Sequence, residues 1–574
     1  MSASPGLEVI SPEPPSGASG GTGERSAPAR PPGAGPVDLS HRQIMTIISG
    51  LLMAMFLAAL DQTIVVTAMR TIADDLHGLS VQAWVTVAYL VTSTVTAPLY
   101  GKLGDLYGRR PLILTAMAIF IAGSVLCGFA GSIYELAAAR ALQGLGAGGL
   151  FSLVLAIVGD IVSPRQQARY QGYFVLVFAL SSLLGPVIGG FLAGRDELLG
   201  LSGWRWVFLV NVPVGLAALA VVARVLRLPH ARTGSRVDWP GALAFITAIA
   251  PLLVVLEQGR SWGWGSPRIL ALSAVTLAGL VAFLLIERRM GEDALLPLGF
   301  FRNGTFAVGN AVSLLVGVGM FGGLVTLPLY LQIVKGAQPR AAGLMLLALT
   351  LAMLASSVVS AQVVARTGRY KVLPVVGSAL LVASLGLLGT VDADTPLGPT
   401  GCYMAVFGFG LGLCTQPLVI AVQNSLPPQH LGMATGSVTF FRQIGGTIGV
   451  AVFLSVLFSG VRGRIDGFSG APGFTEAVRD PAVRADPANA PVLRALDHGR
   501  LSDVPLDDSS FIGHLDARLA GPFRLGFAES MSGVFLTAMA VLVAGFVLAL
   551  LLKERPLADR SALASRAEQA GVEG

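Results

Sequence analysis

Gly101-Lys-Leu-Gly-Asp-Leu-Tyr-Gly-Arg-Arg-Pro111 carries one acid, three bases and three glycines between two long apolar runs. Glycine and proline mark it as a tight turn, so the apolar runs on either side read as two helices joined at one membrane face. Gly101 and Gly108 permit two helices to approach closely. Asp105 can pair with a base or with the N-terminus of a facing helix and so bias one conformation. The plainer reading is a positively charged turn held on the cytoplasmic side.

Working outward, the chain is apolar almost throughout: of 574 residues, 53% are hydrophobic and 13% charged, with a mean hydropathy of +0.71. Soluble domains carry roughly 25% charged residues, so this chain needs lipid around it. A helix needs about 20 apolar residues to cross the hydrocarbon. Such runs lie at about 44–66, 82–100, 111–130, 134–158, 171–193, 206–226, 239–257, 269–287, 305–331, 343–364, 372–390, 400–423, 433–459 and 532–552. They predict an all-α polytopic membrane protein of about fourteen transmembrane helices.

Residues 1–42, rich in Pro, Gly, Ser and Ala, read as a disordered tail, and 553–574 as a second one. The first apolar run comes too late for a signal peptide and leads straight into further spans. Loops rich in base (Lys102, Arg109, Arg110, Arg232, Arg236, Arg288, Arg289, Arg369) alternate with loops holding few, such as Arg195, Arg260 and Lys335. The positive-inside rule then puts both termini in the cytoplasm. The long polar stretch at about 461–528 falls outside, where long loops translocate regardless of charge. Basic residues spread between spans in this way argue against nucleic acid, despite a pI near 9.4.

The Gly101–Pro111 turn resembles the signature of the major facilitator superfamily. Leu60-Asp-Gln-Thr-Ile-Val-Val-Thr-Ala68, Arg140-Ala-Leu-Gln-Gly-Leu-Gly146, Gly185-Pro-Val-Ile-Gly-Gly190 and Trp204-Arg-Trp-Val-Phe-Leu-Val-Asn-Val-Pro213 look like the successive motifs of its fourteen-helix drug:proton antiporters. Gln338-Pro-Arg-Ala-Ala-Gly343 and Phe440-Phe-Arg-Gln-Ile-Gly-Gly446 resemble later family stretches. Val363-Val-Ala-Arg-Thr-Gly-Arg369 echoes the turn, with Ala365 where the acid stood. Departures are Val66 and Arg70, where the pattern has Asn and Pro, and Ser181, where it has glycine. The resemblance implies two pseudo-symmetric six-helix halves, 43–230 and 291–552, with two inserted helices at 231–290. It also implies that Gly185, Pro186, Gly189 and Gly190 form a kink that hinders leakage.

Asp61 is the candidate for proton coupling. A carboxylate at membrane depth is costly, must face the bundle interior or a wet cavity, and is pushed by burial towards its protonated form. Arg140 is its expected partner: with the cation close, Asp61 ionises; with the two apart, it protonates. The alternative is a permanent structural ion pair. One proton crossing 100 mV supplies about 2.3 kcal/mol, nearly two decades of substrate gradient. The proton gradient thus suffices, and no GxxxxGK[ST] phosphate loop is present. Gly144-Leu-Gly-Ala-Gly-Gly149 fits a dinucleotide pattern but lies in an apolar helix without a strand, so helix packing explains it. Gln143, Asn310, Gln332, Gln416, Gln423 and Arg442 are candidates to line a central cavity. Arg442 is expected to find an acid or backbone carbonyls, and about half of the others to form interhelical bonds.

Cys127, Cys402 and Cys414 lie far apart, and the six histidines lack ligand or nucleophile spacing. Neither a metal site, nor another cofactor, nor an enzyme is expected. The expected function is proton-coupled export of a small lipophilic or amphipathic compound across the inner membrane. Rivals are nutrient symport, a lipid or glycolipid exporter whose long outer loop meets a periplasmic partner, and a non-transporting sensor of the same fold.

Overall fold

The structure, a computed structural model, describes residues 40–557 other than 78–81, 227–237, 338, 393–394, 469–471, 498–511 and 513–514. The terminal tails at 1–39 and 558–574, with Arg232 and Arg236, lie outside the described residues, as do the side chains of Arg70, Pro186 and 340–343. Fourteen helices of membrane type stand among the described residues. The first half comprises α1 (His41–Asp75), α2 (Ala83–Tyr107), α3 (Arg109–Phe129), α4 (Ile133–Ile161), α5 (Pro164–Ala193) and α6 (Asn211–Val225, preceded by the turn Trp206–Leu209). Two inserted helices follow, α7 (Trp239–Trp262) and α8 (Pro267–Met290). Then come α9 (Gly304–Leu329, extended by a π turn to Val334), α10 (Pro339–Thr367), α11 (Val372–Leu388), α12 (Leu397–Gln423), α13 (Leu431–Phe468) and α14 (Ala517–Leu550). Twelve of these segments are long and apolar enough to cross a bilayer. The other two are α11, apolar but 17 residues, and α2, 25 residues. In α2 the hydroxyls of Thr92, Ser93 and Thr96 bond back to carbonyls of their own helix, which makes polar residues tolerable at that depth.

The packing repeats. In the first half α1 lies on α5 and α6, α2 on α4, and α3 on α4 and α6. In the second, α9 lies on α13 and α14, α10 on α12, and α11 on α12 and α14. This is the pseudo-symmetry of two six-helix halves. The inserted α7 and α8 pair with each other, and α7 leans on α2 and α13. The halves join through α2 with α13 and α5 with α10.

The segment expected as a loop at about 461–528 is shorter than that. Helix α13 continues to Phe468 and α14 begins at Ala517. Arg518, Arg524 and Glu529 interrupt the apolar run of α14, yet Leu519, Phe523, Phe527 and Met531 recur every four residues and are buried along one face. Between the two helices, Pro472–Arg479, Pro481–Ala485 and Ala490–Asp497 form a helical cap that buries Phe474, Ala477, Val483 and Val492. Buried Asn489 fastens it, donating to the Val483 carbonyl at 2.9 Å and accepting from the Asp516 amide at 3.1 Å. We call this end of the bundle the cap face, and the end carrying Gly108 the turn face.

Candidate functional site

Helix α4 carries Arg140 and Gln143 three residues apart, hence on one face. Its glycines bring that face close to its neighbours: a Cβ at Gly144 would strike the Tyr89 carbonyl of α2, and one at Gly146 the Ala116 carbonyl of α3. The glycine run is therefore a packing surface. Asp61 of α1 is fully buried opposite it, with Arg140, Gln143 and Asn211 of α6 also buried. Arg140 Nη1 donates to Asp61 Oδ2 at 2.6 Å and to Gln143 Oε1 at 2.6 Å. Gln143 Nε2 donates to Asp61 Oδ1 at 2.9 Å and to Ser124 Oγ at 2.7 Å, while Asn211 Nδ2 donates to Asp61 Oδ1 at 2.7 Å. The Arg140 guanidinium also lies 4.1 Å over the Tyr89 ring.

Every one of these contacts to Asp61 is a donor, so the arrangement suits a carboxylate; a proton on Asp61 would need a donor to move away. The expected Asp61–Arg140 pair is present, inside the first half rather than in an open cavity. Asn211 and Tyr89 escaped the sequence reading as members of this site. Asn211 stands within the Trp204–Pro213 stretch already quoted, a polar residue amid apolar ones, and that was its signal.

At the turn face, Gly108 has φ 93°, a backbone conformation that favours glycine, and this reverses the chain between α2 and α3. Arg109, buried at the start of α3, donates to Asp105 Oδ1 at 2.5 Å and to Asp160 Oδ2 of α4 at 2.8 Å. Asp105 also accepts from the backbone amides of Gly432 and Met433, at 3.1 and 2.9 Å, in the first turn of α13. An anion at a helix N-terminus is favourable, so Asp105 ties the two halves together. The helices can come this close because both contact positions are glycine: a Cβ at Gly101 would meet the Gly432 carbonyl. Arg110 takes no part in this cluster and donates to the Ala223 carbonyl of α6 at 2.8 Å. Asp160 was not foreseen.

The echo of this turn is built differently. Gly368 has φ 69°, mirroring Gly108, and Glu554 from beyond α14 supplies the missing acid. It accepts from the amides of Tyr370 at 3.0 Å and Lys371 at 3.4 Å, leading into α11.

The remaining candidates scatter. Gly185 and Gly189 of α5 pack against Thr63 and Thr67 of α1, whereas a Cβ at Gly190 would meet open space. Gln423 donates to Thr435 Oγ1 at 2.7 Å, an interhelical bond between α12 and α13. Asn310 donates to the Phe306 carbonyl of its own helix at 2.9 Å, and Gln416 is buried with Nε2 unbonded. Gln332 is exposed in the π turn at the end of α9. Arg442 is half-buried and has neither an acid nor a hydrogen-bonded carbonyl among the described residues, contrary to expectation. Among the described residues no group of His, Cys, Asp and Glu is placed to hold a metal ion.

A family model described as Major Facilitator Superfamily matches residues 51–450. Multidrug transporter protein MdtP of Bacillus subtilis is 34% identical over 529 residues, covering 90% of this chain and 94% of that protein. A tetracycline resistance determinant of Streptomyces rimosus is 41% identical over 317 residues, 55% of this chain and 91% of its own. Among solved structures, the human organic anion transporter MFSD10 superposes with TM-score 0.54 at 17% identity, covering 87% of this chain and 99% of that one.

Proposed function

This chain belongs to the Major Facilitator Superfamily, and from that premise we propose that it exports lipophilic or amphipathic small molecules across the bacterial cytoplasmic membrane in exchange for protons. Its similarity to a multidrug transporter and a tetracycline resistance determinant supports drug-like cargo. The observation that carries the proton part is the fully buried Asp61 bound to Arg140.

A proton arriving on Asp61 cancels the ion pair and leaves Arg140 to Gln143 and the Tyr89 ring. Helix α1 is then freed from α4 and α6. Because α1 packs on α5 through Gly185 and Gly189, and α5 meets α10 of the other half, two helix contacts carry the change to the junction between halves. Asp105, Arg109 and Asp160 form the latch that holds the turn face shut until that happens. In this reading the turn face and both termini are cytoplasmic, as the basic loops require.

The test is dye efflux in inverted vesicles under an imposed pH gradient without ATP, comparing the parent with Asp61→Asn. The parent should move dye only with the gradient, and Asp61→Asn should be inserted and folded but inactive. Transport that persists in Asp61→Asn would place coupling elsewhere, and gradient-independent transport by the parent would end the antiport reading.

A further inference from the structure

Helices α7 and α13 meet ring to ring, Phe245 lying 4.9 Å from Phe440 and 5.4 Å from Phe283 of α8 between centroids. Nearer the cap face the same two helices part around a cleft of about 570 Å³. Leu256, Glu257, Arg260 and Trp264 line it on one side, Leu454 and Phe458 of α13 on the other. That volume takes a drug-sized molecule.

Two features of the lining indicate the charge of its occupant. Glu257 lies within the span Trp239–Trp262 and is half-buried, yet its carboxylate has no hydrogen bond or ion pair with any described residue. An acid left unpaired within a membrane span is costly, and one that lines a cleft marks a place where a positive group is received. The second is Arg260, one turn on, whose guanidinium carbon sits 3.5 Å from the centroid of the Phe458 ring. The aromatic wall of the cleft already holds a cation.

We infer that this cleft binds an amphipathic organic cation. Its apolar body lies among Leu256, Leu454 and Trp264, and its charge between the Glu257 carboxylate and the Phe458 ring, displacing the Arg260 guanidinium from that ring. The substrate class rests on the exporter reading above, but the cleft shares no residue with the Asp61 network and is tested by binding alone.

The experiment is equilibrium binding of ethidium, a permanent cation, and of Nile red, a neutral probe, to the full chain in nanodiscs of diglucosyl diacylglycerol and phosphatidylglycerol, lipids whose headgroups carry no cation. Glu257→Gln should weaken ethidium roughly tenfold and leave Nile red unchanged, while Arg260→Ala, which removes a competing cation, should tighten ethidium. Ethidium binding unaffected by Glu257→Gln, equal loss of both probes, or weaker ethidium binding in Arg260→Ala would each overturn the inference. Adding phosphatidylethanolamine, whose headgroup carries an ammonium, should not compete; competition would assign the cleft to lipid and overturn the small-molecule occupant. No gradient is needed, so a failure here is distinct from loss of gradient-driven efflux in the vesicle assay.

Discussion

Asp61 receives donors from three side chains, and the substitutions around it should differ in kind. Removing the Asn211 amide deletes one hydrogen bond to a charged group, worth about 1.5–3 kcal/mol. Asn211→Ala is therefore expected to slow gradient-driven transport at least roughly tenfold while leaving substrate affinity unchanged, which a comparison of Vmax with equilibrium binding would check. Arg140→Lys should not rescue function. A single ammonium cannot serve Asp61 and Gln143 while lying flat on the Tyr89 ring as the guanidinium does. Activity near the parental level in Arg140→Lys would mean that charge alone matters at this position.

Helices meet at the turn face because glycine is present on both sides of the contact. In Gly101→Ala the new methyl group meets the Gly432 carbonyl, a backbone atom that cannot swing away. The variant should populate a form in which α2 and α13 are apart, read as a longer spin-label distance between their turn-face ends; an unchanged distance distribution would refute this role. Asp105→Asn keeps the side chain's shape and loses its charge at the start of α13, so the same distance should lengthen less often, by the equivalent of about 1 kcal/mol. The two substitutions separate steric fit from electrostatics in one element pair.

Across the whole molecule, the cap is held by apolar burial far more than by its charges. Phe474 is buried there, and Phe474→Ala should lower the melting temperature by an amount corresponding to about 3 kcal/mol. Arg518→Ala should not shift it measurably near neutral pH, because the Arg518–Asp480 and Arg518–Asp516 pairs are exposed. Hydrogen bonds from Arg518 hold both carboxyls below the usual carboxylate range. Their small contribution is present above that range and disappears as pH falls through the lowered values, so any difference between parent and Arg518→Ala should shrink on acidification.

The number, order and type of helices were legible because crossing a bilayer is a local property: some twenty apolar residues in a row suffice, whatever lies elsewhere. The Gly101–Pro111 turn and the pairing of Asp61 with Arg140 could also be read, since a motif of fixed residues implies its own geometry. Where the criterion was weaker the reading failed. The start of α14 was lost because its apolar residues recur every four positions among Arg and Glu, and the partner expected for Arg442 was inferred from polarity alone. Tertiary structure decided which distant residues complete each site. Asp160 reaches Arg109 across 51 positions, Asn211 reaches Asp61 across 150, and Glu554 reaches the echo turn across 184. Such partners are fixed by the angle and depth at which helices pack, and that depends on the summed contacts of the whole bundle rather than on any one segment.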